Sequence, residues 1–132
     1  ILVYIQAVNQ HVWRMRPWPA LALTLCFIPF TALTMPLWQS LPLYHVSAGY
    51  MSVPTLIVIY AVLLRNRAPL TARGLATGAA ILMVSLTFRS LDEVVCPAFA
   101  LGPHFMWHLL NGLMLGWMIA VYLRHRRTYA RA

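Results

Sequence analysis

One uncharged stretch constrains the fold of this chain more than any other feature. Residues 17–64 contain no Asp, Glu, Lys or Arg over 48 consecutive positions. A membrane-spanning helix needs about 20 apolar residues, so this stretch is long enough for two spans joined by a turn. Of all 132 residues, 61% are hydrophobic and only 9% are charged, whereas soluble domains carry about 25% charged residues. The composition therefore predicts an integral membrane protein.

The remaining apolar segments predict an all-α, polytopic bundle of transmembrane helices in one domain, residues 1–132. The predicted full spans are residues 18–38, 50–64, 70–90 and 103–123. Residues 1–12 are apolar but too short to cross a bilayer, and we interpret them as the end of a further helix. The sequence thus predicts four full spans and one partial first span, with turns at residues 39–49 and 91–102.

The basic residues indicate how these spans cross the membrane. The net charge is +8, and the ten basic residues are all arginines that lie at the ends of apolar runs. If each span crosses once, nine of them fall on one side: Arg14, Arg16, Arg65, Arg67, Arg73, Arg124, Arg126, Arg127 and Arg131. Because positive residues favour the cytoplasmic side, we expect a cytoplasmic C-terminal tail and His104 near the extracytoplasmic end of its helix. We reject nucleic acid as a partner, since the arginines form no basic helix face.

Residues 85–116 contain most of the side chains that could carry chemistry. A helix is predicted to begin near Pro103, since proline is favoured in the first helical turn. His104 and His108 would then lie one above the other on one face of that helix. Two imidazoles placed in this way can both reach one metal ion. The alternative is that they form hydrogen bonds inside the bundle or lie at the membrane interface.

The position of His104 is compatible with zinc as the metal. In the first turn of a helix, the positive end of the helix dipole disfavours a protonated imidazole, and the neutral imidazole is the form that binds metal. Catalytic zinc takes about three protein ligands and a water, so a third ligand would have to come from another helix. His45 is one candidate for this third ligand. Alternatively, His45 is simply a histidine that lies at the membrane interface.

Four further residues are candidate site residues: Arg89, Asp92, Cys96 and Asn111. Ionisable groups within membrane segments are costly and therefore indicate function. Asp92 could instead neutralise Arg89 or accept backbone hydrogen bonds in its loop. Cys96 could form half of a disulfide, but Cys26 lies in the middle of a predicted span and is a poor geometric match.

Two GxxxG patterns occur in the predicted spans, from Gly74 to Gly78 and from Gly112 to Gly116. Small residues at this spacing let helix backbones approach closely in lipid. We interpret both patterns as packing sites inside the bundle rather than as dimerisation sites.

The order of residues around the histidines resembles the C-terminal motif of the alkaline ceramidase family. The matching residues are Phe88, Asp92, Cys96, Gly102, His104, Trp107 and His108. The segments SLTFRSLD at residues 85–92 and PHFMWHLLNGL at residues 103–113 are similar to the bacterial ceramidase-like branch. This family belongs to a wider group of seven-helix membrane hydrolases that includes the adiponectin and progestin receptors. The combined spacing D-x3-C-x7-H-x3-H is fairly specific, and the resemblance extends more weakly over the whole chain.

The resemblance implies that His104 and His108 bind a catalytic zinc ion and that Asp92 has a supporting rather than a nucleophilic role. It implies that the chain corresponds to the last five helices of a seven-helix fold, with the family's third histidine, serine and further aspartate in N-terminal helices before residue 1. On that expectation this portion alone is inactive. The resemblance further implies a location in the bacterial inner membrane.

The leading hypothesis from the sequence is an intramembrane zinc-dependent amidohydrolase of ceramidase type. A metal-activated water would hydrolyse the amide of ceramide or a related N-acyl lipid, releasing a fatty acid and an amine. The alternative is a non-catalytic lipid-sensing or scaffold membrane protein of the same superfamily. A haem-binding electron carrier fits less well, because axial ligands approach haem from opposite sides and two histidines one turn apart cannot do so.

Overall fold

A computed structural model of the chain describes residues 1–95 and 104–129. Within these ranges the chain forms six α-helices and one short 3-10 turn, His45–Ser47. The helices are α1 Leu2–His11, α2 Pro17–Leu25, α3 Phe27–Gln39, α4 Ala48–Leu64, α5 Pro69–Val95 and α6 His104–Tyr129. No strand occurs in the described residues, which confirms the all-α prediction.

In the part of the chain that the structure describes, four helical segments are long and apolar enough to cross a membrane, as the sequence predicts. They are Pro17–Gln39, His45–Leu64, Pro69–Asp92 and His104–Tyr129. α1 has ten residues, or about 15 Å of helix, and corresponds to the partial first span. Relative to the prediction, α4 begins two residues earlier and α6 ends six residues later. Consecutive helices pack side by side, α3 against α4, α4 against α5, and α5 against α6. The chain is therefore a polytopic helical membrane protein.

The first full span is interrupted at Cys26, between α2 and α3. Pro29 explains the interruption, because a proline has no N–H to donate to the carbonyl oxygen of Leu25 and its ring clashes with that oxygen. Pro36 lies further along the same span, but α3 continues through it. Cys26 is exposed and free at this break. Pro29 therefore breaks the helix, whereas α3 accommodates Pro36.

α5 continues five residues beyond its predicted end at Ser90. The helix reaches Val95, so Asp92 lies in its last turn and not in a loop. The predicted loop start at residue 91 is wrong because it equates the end of the apolar stretch with the end of the helix. No glycine or proline occurs between Gly78 and Pro97 to stop the helix sooner. The extension positions Asp92 next to the start of α6.

The two ends of the bundle differ in charge. Arg14 donates a hydrogen bond of 3.0 Å to the carbonyl oxygen of Tyr129, which joins the segment after α1 to the end of α6. Arg65 and Arg73 line one surface groove, and Arg73 and Arg124 line a cavity between α5 and α6. We call this end of the bundle the arginine end. The opposite end, where α5 ends and α6 begins, is the histidine end.

A buried polar network joins α1, α2 and α4. Asn9 is fully buried, and its Nδ2 donates to Oγ1 of Thr24 at 3.1 Å. The hydroxyl of Tyr60 donates to Oδ1 of Asn9 at 2.8 Å, and Oγ1 of Thr24 lies 2.9 Å from Oε1 of Gln6. In lipid there is no hydrophobic force between helices, so interhelical hydrogen bonds and close packing hold a bundle together. This network positions the short α1 against its neighbours.

The two GxxxG patterns have different surroundings. A Cβ added at Gly74 would lie 2.6 Å from Cγ2 of Val121, and one added at Gly78 would lie 2.5 Å from Sδ of Met118. The first pattern therefore allows close contact between α5 and α6, as predicted. A Cβ on either glycine of the second pattern would meet no described atom within 4 Å. The described residues therefore show a close helix contact for the first pattern and none for the second, for which the packing site stays a prediction.

We expect Gly74→Ala to destabilise the protein, because the added methyl group would overlap Val121 and push α5 and α6 apart. Overpacking of this kind costs about 1–3 kcal/mol. Thermal unfolding in detergent, followed by circular dichroism, measures the change. Gly116→Ala is the matched control, since it adds the same group in α6 where no described atom lies within 4 Å. Equal losses of stability in the two variants would contradict the assignment of Gly74 to the helix contact.

Candidate metal centre

The candidate site lies at the histidine end, where the last turn of α5 meets the first turn of α6. Asp92 belongs to α5, and its Oδ2 atom lies 3.0 Å from Nδ1 of His104 in α6. The side chain of His104 is 50% exposed and that of Asp92 is 20% exposed. Asp92 therefore pairs with His104. The described residues show no ion pair between Asp92 and Arg89, which was the alternative from the sequence.

The two histidines of α6 lie side by side. Their ring centroids are 4.9 Å apart, and their planes are inclined at 69°. With Zn–N distances of about 2.0–2.1 Å, two imidazoles on one tetrahedral ion have ring centroids about 5 Å apart. The separation of His104 and His108 therefore suits a shared metal ion.

Asp92 determines which nitrogen of His104 is left for a metal. A carboxylate next to Nδ1 favours the tautomer in which Nδ1 carries the proton, and this tautomer leaves a lone pair on Nε2. The same contact orients a metal-binding imidazole. The other oxygen of Asp92, Oδ1, is buried and has no hydrogen-bond partner among the described groups. A buried acceptor without a partner fits a site that a water or a further ligand completes.

Arg89 lies between two aromatic rings beside the histidines. Its Cζ atom is 4.8 Å from the ring centroid of Tyr50 in α4 and 4.8 Å from that of Trp107 in α6. Cation–π contacts contribute about 0.5–2 kcal/mol each. Trp107 in turn lies 5.3 Å from His104 and 4.3 Å from His108, measured between ring centroids. Arg89 therefore links α4, α5 and α6 and fixes the indole that packs on the histidine pair.

Hydroxyl groups hold the end of α5 in place. Oγ of Ser85 donates to the carbonyl oxygen of Trp107 at 3.0 Å, and Oγ of Ser90 lies 2.9 Å from Oγ of Ser47. Neither Tyr50 nor Ser47 was identified from the sequence. Ser47 is 43 positions from its partner, and no local pattern marks either residue. Only the packing of α4 and of the 3-10 turn before it against α5 reveals them.

The structure does not bring the remaining candidate residues that it describes close enough to His104 and His108 to complete a set of metal ligands. Within residues 1–95 and 104–129, no group of three or more His, Cys, Asp or Glu side chains is arranged to hold a metal ion. His45 is exposed, and its Nδ1 lies 2.7 Å from the carbonyl oxygen of Pro42. Asn111 is half-buried in α6, on the same helix face as His108. Cys96 lies outside the described residues.

No family model, curated protein or solved structure matches this chain. The resemblance to alkaline ceramidases therefore rests on the sequence pattern described above. Of those residues, the structure brings Asp92, His104 and His108 together with Trp107 at one end of the bundle. Chemically, this group offers two imidazoles with a suitable separation and a carboxylate that orients one of them.

Proposed function

We propose that this chain carries the zinc-binding histidines of an intramembrane amidohydrolase of ceramidase type, acting on ceramide or a related N-acyl lipid. The observation that supports the proposal best is the geometry of one group of side chains. His104 and His108 have a separation that suits one zinc ion, and Asp92 is hydrogen-bonded to His104. The four apolar spans provide the membrane setting that a lipid substrate requires.

The chain's own residues would act by binding and orienting. A bound zinc ion would lower the pKa of a water ligand and polarise an amide carbonyl. His104 would offer Nε2 to the ion and His108 one of its ring nitrogens, while Asp92 keeps the proton on Nδ1 of His104. In the reaction, water adds to the amide carbon, the C–N bond breaks and the nitrogen takes a proton. The products are a fatty acid and an amine.

The depth of the site in the membrane agrees with a lipid amide as substrate. α6 has 26 residues, or about 39 Å of helix, and therefore exceeds a hydrocarbon core of about 30 Å. Its first turn, with the half-exposed His104, would lie near the interface, where the polar linkage between head group and acyl chain also lies. On the positive-inside rule, the arginine end would face the cytoplasm and the histidine end the extracytoplasmic side of a bacterial inner membrane.

We expect the full-length protein, purified in detergent, to contain close to one zinc ion per chain and to release fatty acid from an N-acyl lipid. Treatment with a chelator should abolish the activity, and added zinc should restore it, because the metal supplies the activated water. Metal analysis by mass spectrometry and a fatty-acid release assay measure these effects. A protein that binds no zinc even after zinc is added would contradict the proposal.

The second candidate function is that of a non-catalytic lipid-sensing or scaffold protein of the same superfamily. This alternative keeps the apolar spans and the histidine pair and differs from the first candidate only in the absence of hydrolysis. Such a protein would bind lipid, and it could bind zinc through His104 and His108, but it would release no fatty acid. Zinc binding without hydrolysis of any N-acyl lipid would therefore favour this alternative over the hydrolase.

A further inference from the structure

A second polar site lies at the arginine end, between α5 and α6. A cavity of about 200 Å³ opens there, several times the roughly 30 Å³ that one water occupies in the liquid. Its wall contains Arg73 from α5 and Arg124 from α6, together with apolar groups that include Leu70 and Trp117. The cavity is therefore large enough for a phosphate group and has one cation on each side.

The uncharged polar groups of the cavity wall are largely paired within the protein. Nε1 of Trp117 donates to the carbonyl oxygen of Gly74 at 2.8 Å, a bond that joins α6 to α5. Oγ1 of Thr71 and Nδ1 of His125 form a hydrogen bond of 2.7 Å. The two guanidinium groups are the charged side chains of Arg73 and Arg124 in this wall, and guanidinium groups only donate hydrogen bonds. A ligand that pairs with both arginines must therefore be an acceptor.

Within residues 1–95 and 104–129, neither guanidinium group of the cavity has an acidic neighbour. The chain contains only two acidic residues, Asp92 and Glu93, and both belong to the far end of α5. Asp92 is 19 positions from Arg73, a distance of about 28 Å along the helix. Two uncompensated positive charges on one cavity attract an anion. The planar guanidinium group binds phosphate through two parallel hydrogen bonds, so phosphate is the anion that suits arginine best.

The position of the cavity favours a lipid over a free anion. It lies in the first turns of the α5 span and the last turns of the α6 span, at the depth where head groups meet hydrocarbon. Leu70 is 58% exposed beside it, so an acyl chain leaving the cavity would meet apolar surface. Basic pockets between transmembrane helices are typical sites for anionic head groups. We propose that this cavity binds the phosphate group of an anionic glycerophospholipid, with Arg73 and Arg124 as its ligands.

The test is the binding of dioctanoyl phosphatidylglycerol to the full-length protein in an uncharged detergent, measured by native mass spectrometry at fixed ionic strength. Arg73→Gln and Arg124→Gln should each weaken binding about tenfold, because each removes a charge-assisted contact with the phosphate. Arg126→Gln is the matched control, since it makes the same charge change in α6 at an exposed residue outside the cavity wall. It should change the affinity by less than about twofold, the effect of a distant charge that salt screens.

The outcomes separate a lipid site from simpler explanations. Equal weakening in the Arg126 variant would show diffuse attraction and overturn the proposal. Equal binding of dioctanoyl phosphatidylcholine would overturn the preference for an anionic lipid. Full displacement of the lipid by inorganic phosphate at the same concentration would show a free-anion site and overturn the assignment to lipid. If the cavity variants fail to fold, the wild-type protein still tests whether an anionic lipid binds. The proposal requires that phosphatidylglycerol raises its unfolding temperature and that phosphatidylcholine does not.

Discussion

Replacing His108 with alanine is expected to remove bound zinc from the full-length protein and to abolish amide hydrolysis. The substitution deletes one of two imidazoles whose centroids are 4.9 Å apart, and a catalytic zinc site needs about three protein ligands. Substitution of a residue that only forms a hydrogen bond to a metal ligand already costs about 10- to 100-fold in metal affinity or activity. Loss of a direct ligand should exceed that range. Metal analysis after gel filtration and a fatty-acid release assay measure the two effects.

Other histidines of the chain supply the controls. His11 is exposed at the end of α1, at the arginine end, where its Nδ1 lies 3.0 Å from the carbonyl oxygen of Ala7. His11→Ala should keep zinc and activity, whereas His104→Ala should behave like His108→Ala. His45→Ala extends the series, since loss of zinc in that variant would identify His45 as the third ligand. Zinc at the wild-type level in both α6 variants would refute the proposed metal centre.

The fold was largely predictable because a membrane allows few solutions. In a hydrocarbon environment every backbone polar group must be paired, and a helix does this within a single segment, so the uncharged stretch at residues 17–64 favours helices. The arginines then mark where the helices end. The error at α5 has the same origin: the apolar stretch ends near Ser90, but the helix continues to Val95, because hydrogen bonding and not hydrophobicity determines where a helix stops.

The candidate site was predictable only where it depends on local spacing. His104 and His108 are one turn apart, so any helix at this position brings them together. The contact between Asp92 and His104 depends on where α5 ends relative to the start of α6, and the sequence alone does not give that relation. Tyr50 was missed for a stronger reason, since its contact with Arg89 exists only when α4 packs against α5.

Asp92→Asn should weaken zinc binding about tenfold, and Asp92→Ala about a hundredfold. Asparagine is close in size to aspartate and keeps an oxygen that can accept a hydrogen bond from Nδ1 of His104, but it lacks the negative charge of the carboxylate that supports a metal-binding imidazole. Alanine also removes the acceptor, so the ring is no longer held in one orientation and one tautomer. Competition titrations against a zinc-binding dye measure these affinities in the full-length protein.

Unfolding of the metal-free protein separates a positioning role from a structural one. The pair formed by Asp92 and His104 is partly exposed, and ion pairs near the surface contribute about 0–1 kcal/mol. The metal-free variants should therefore unfold close to the wild-type temperature while their zinc affinities differ. The opposite result, a lower unfolding temperature with unchanged zinc affinity, would mean that Asp92 only holds α5 against α6. The orientation of His104 would then have to come from Trp107, whose ring lies 5.3 Å away.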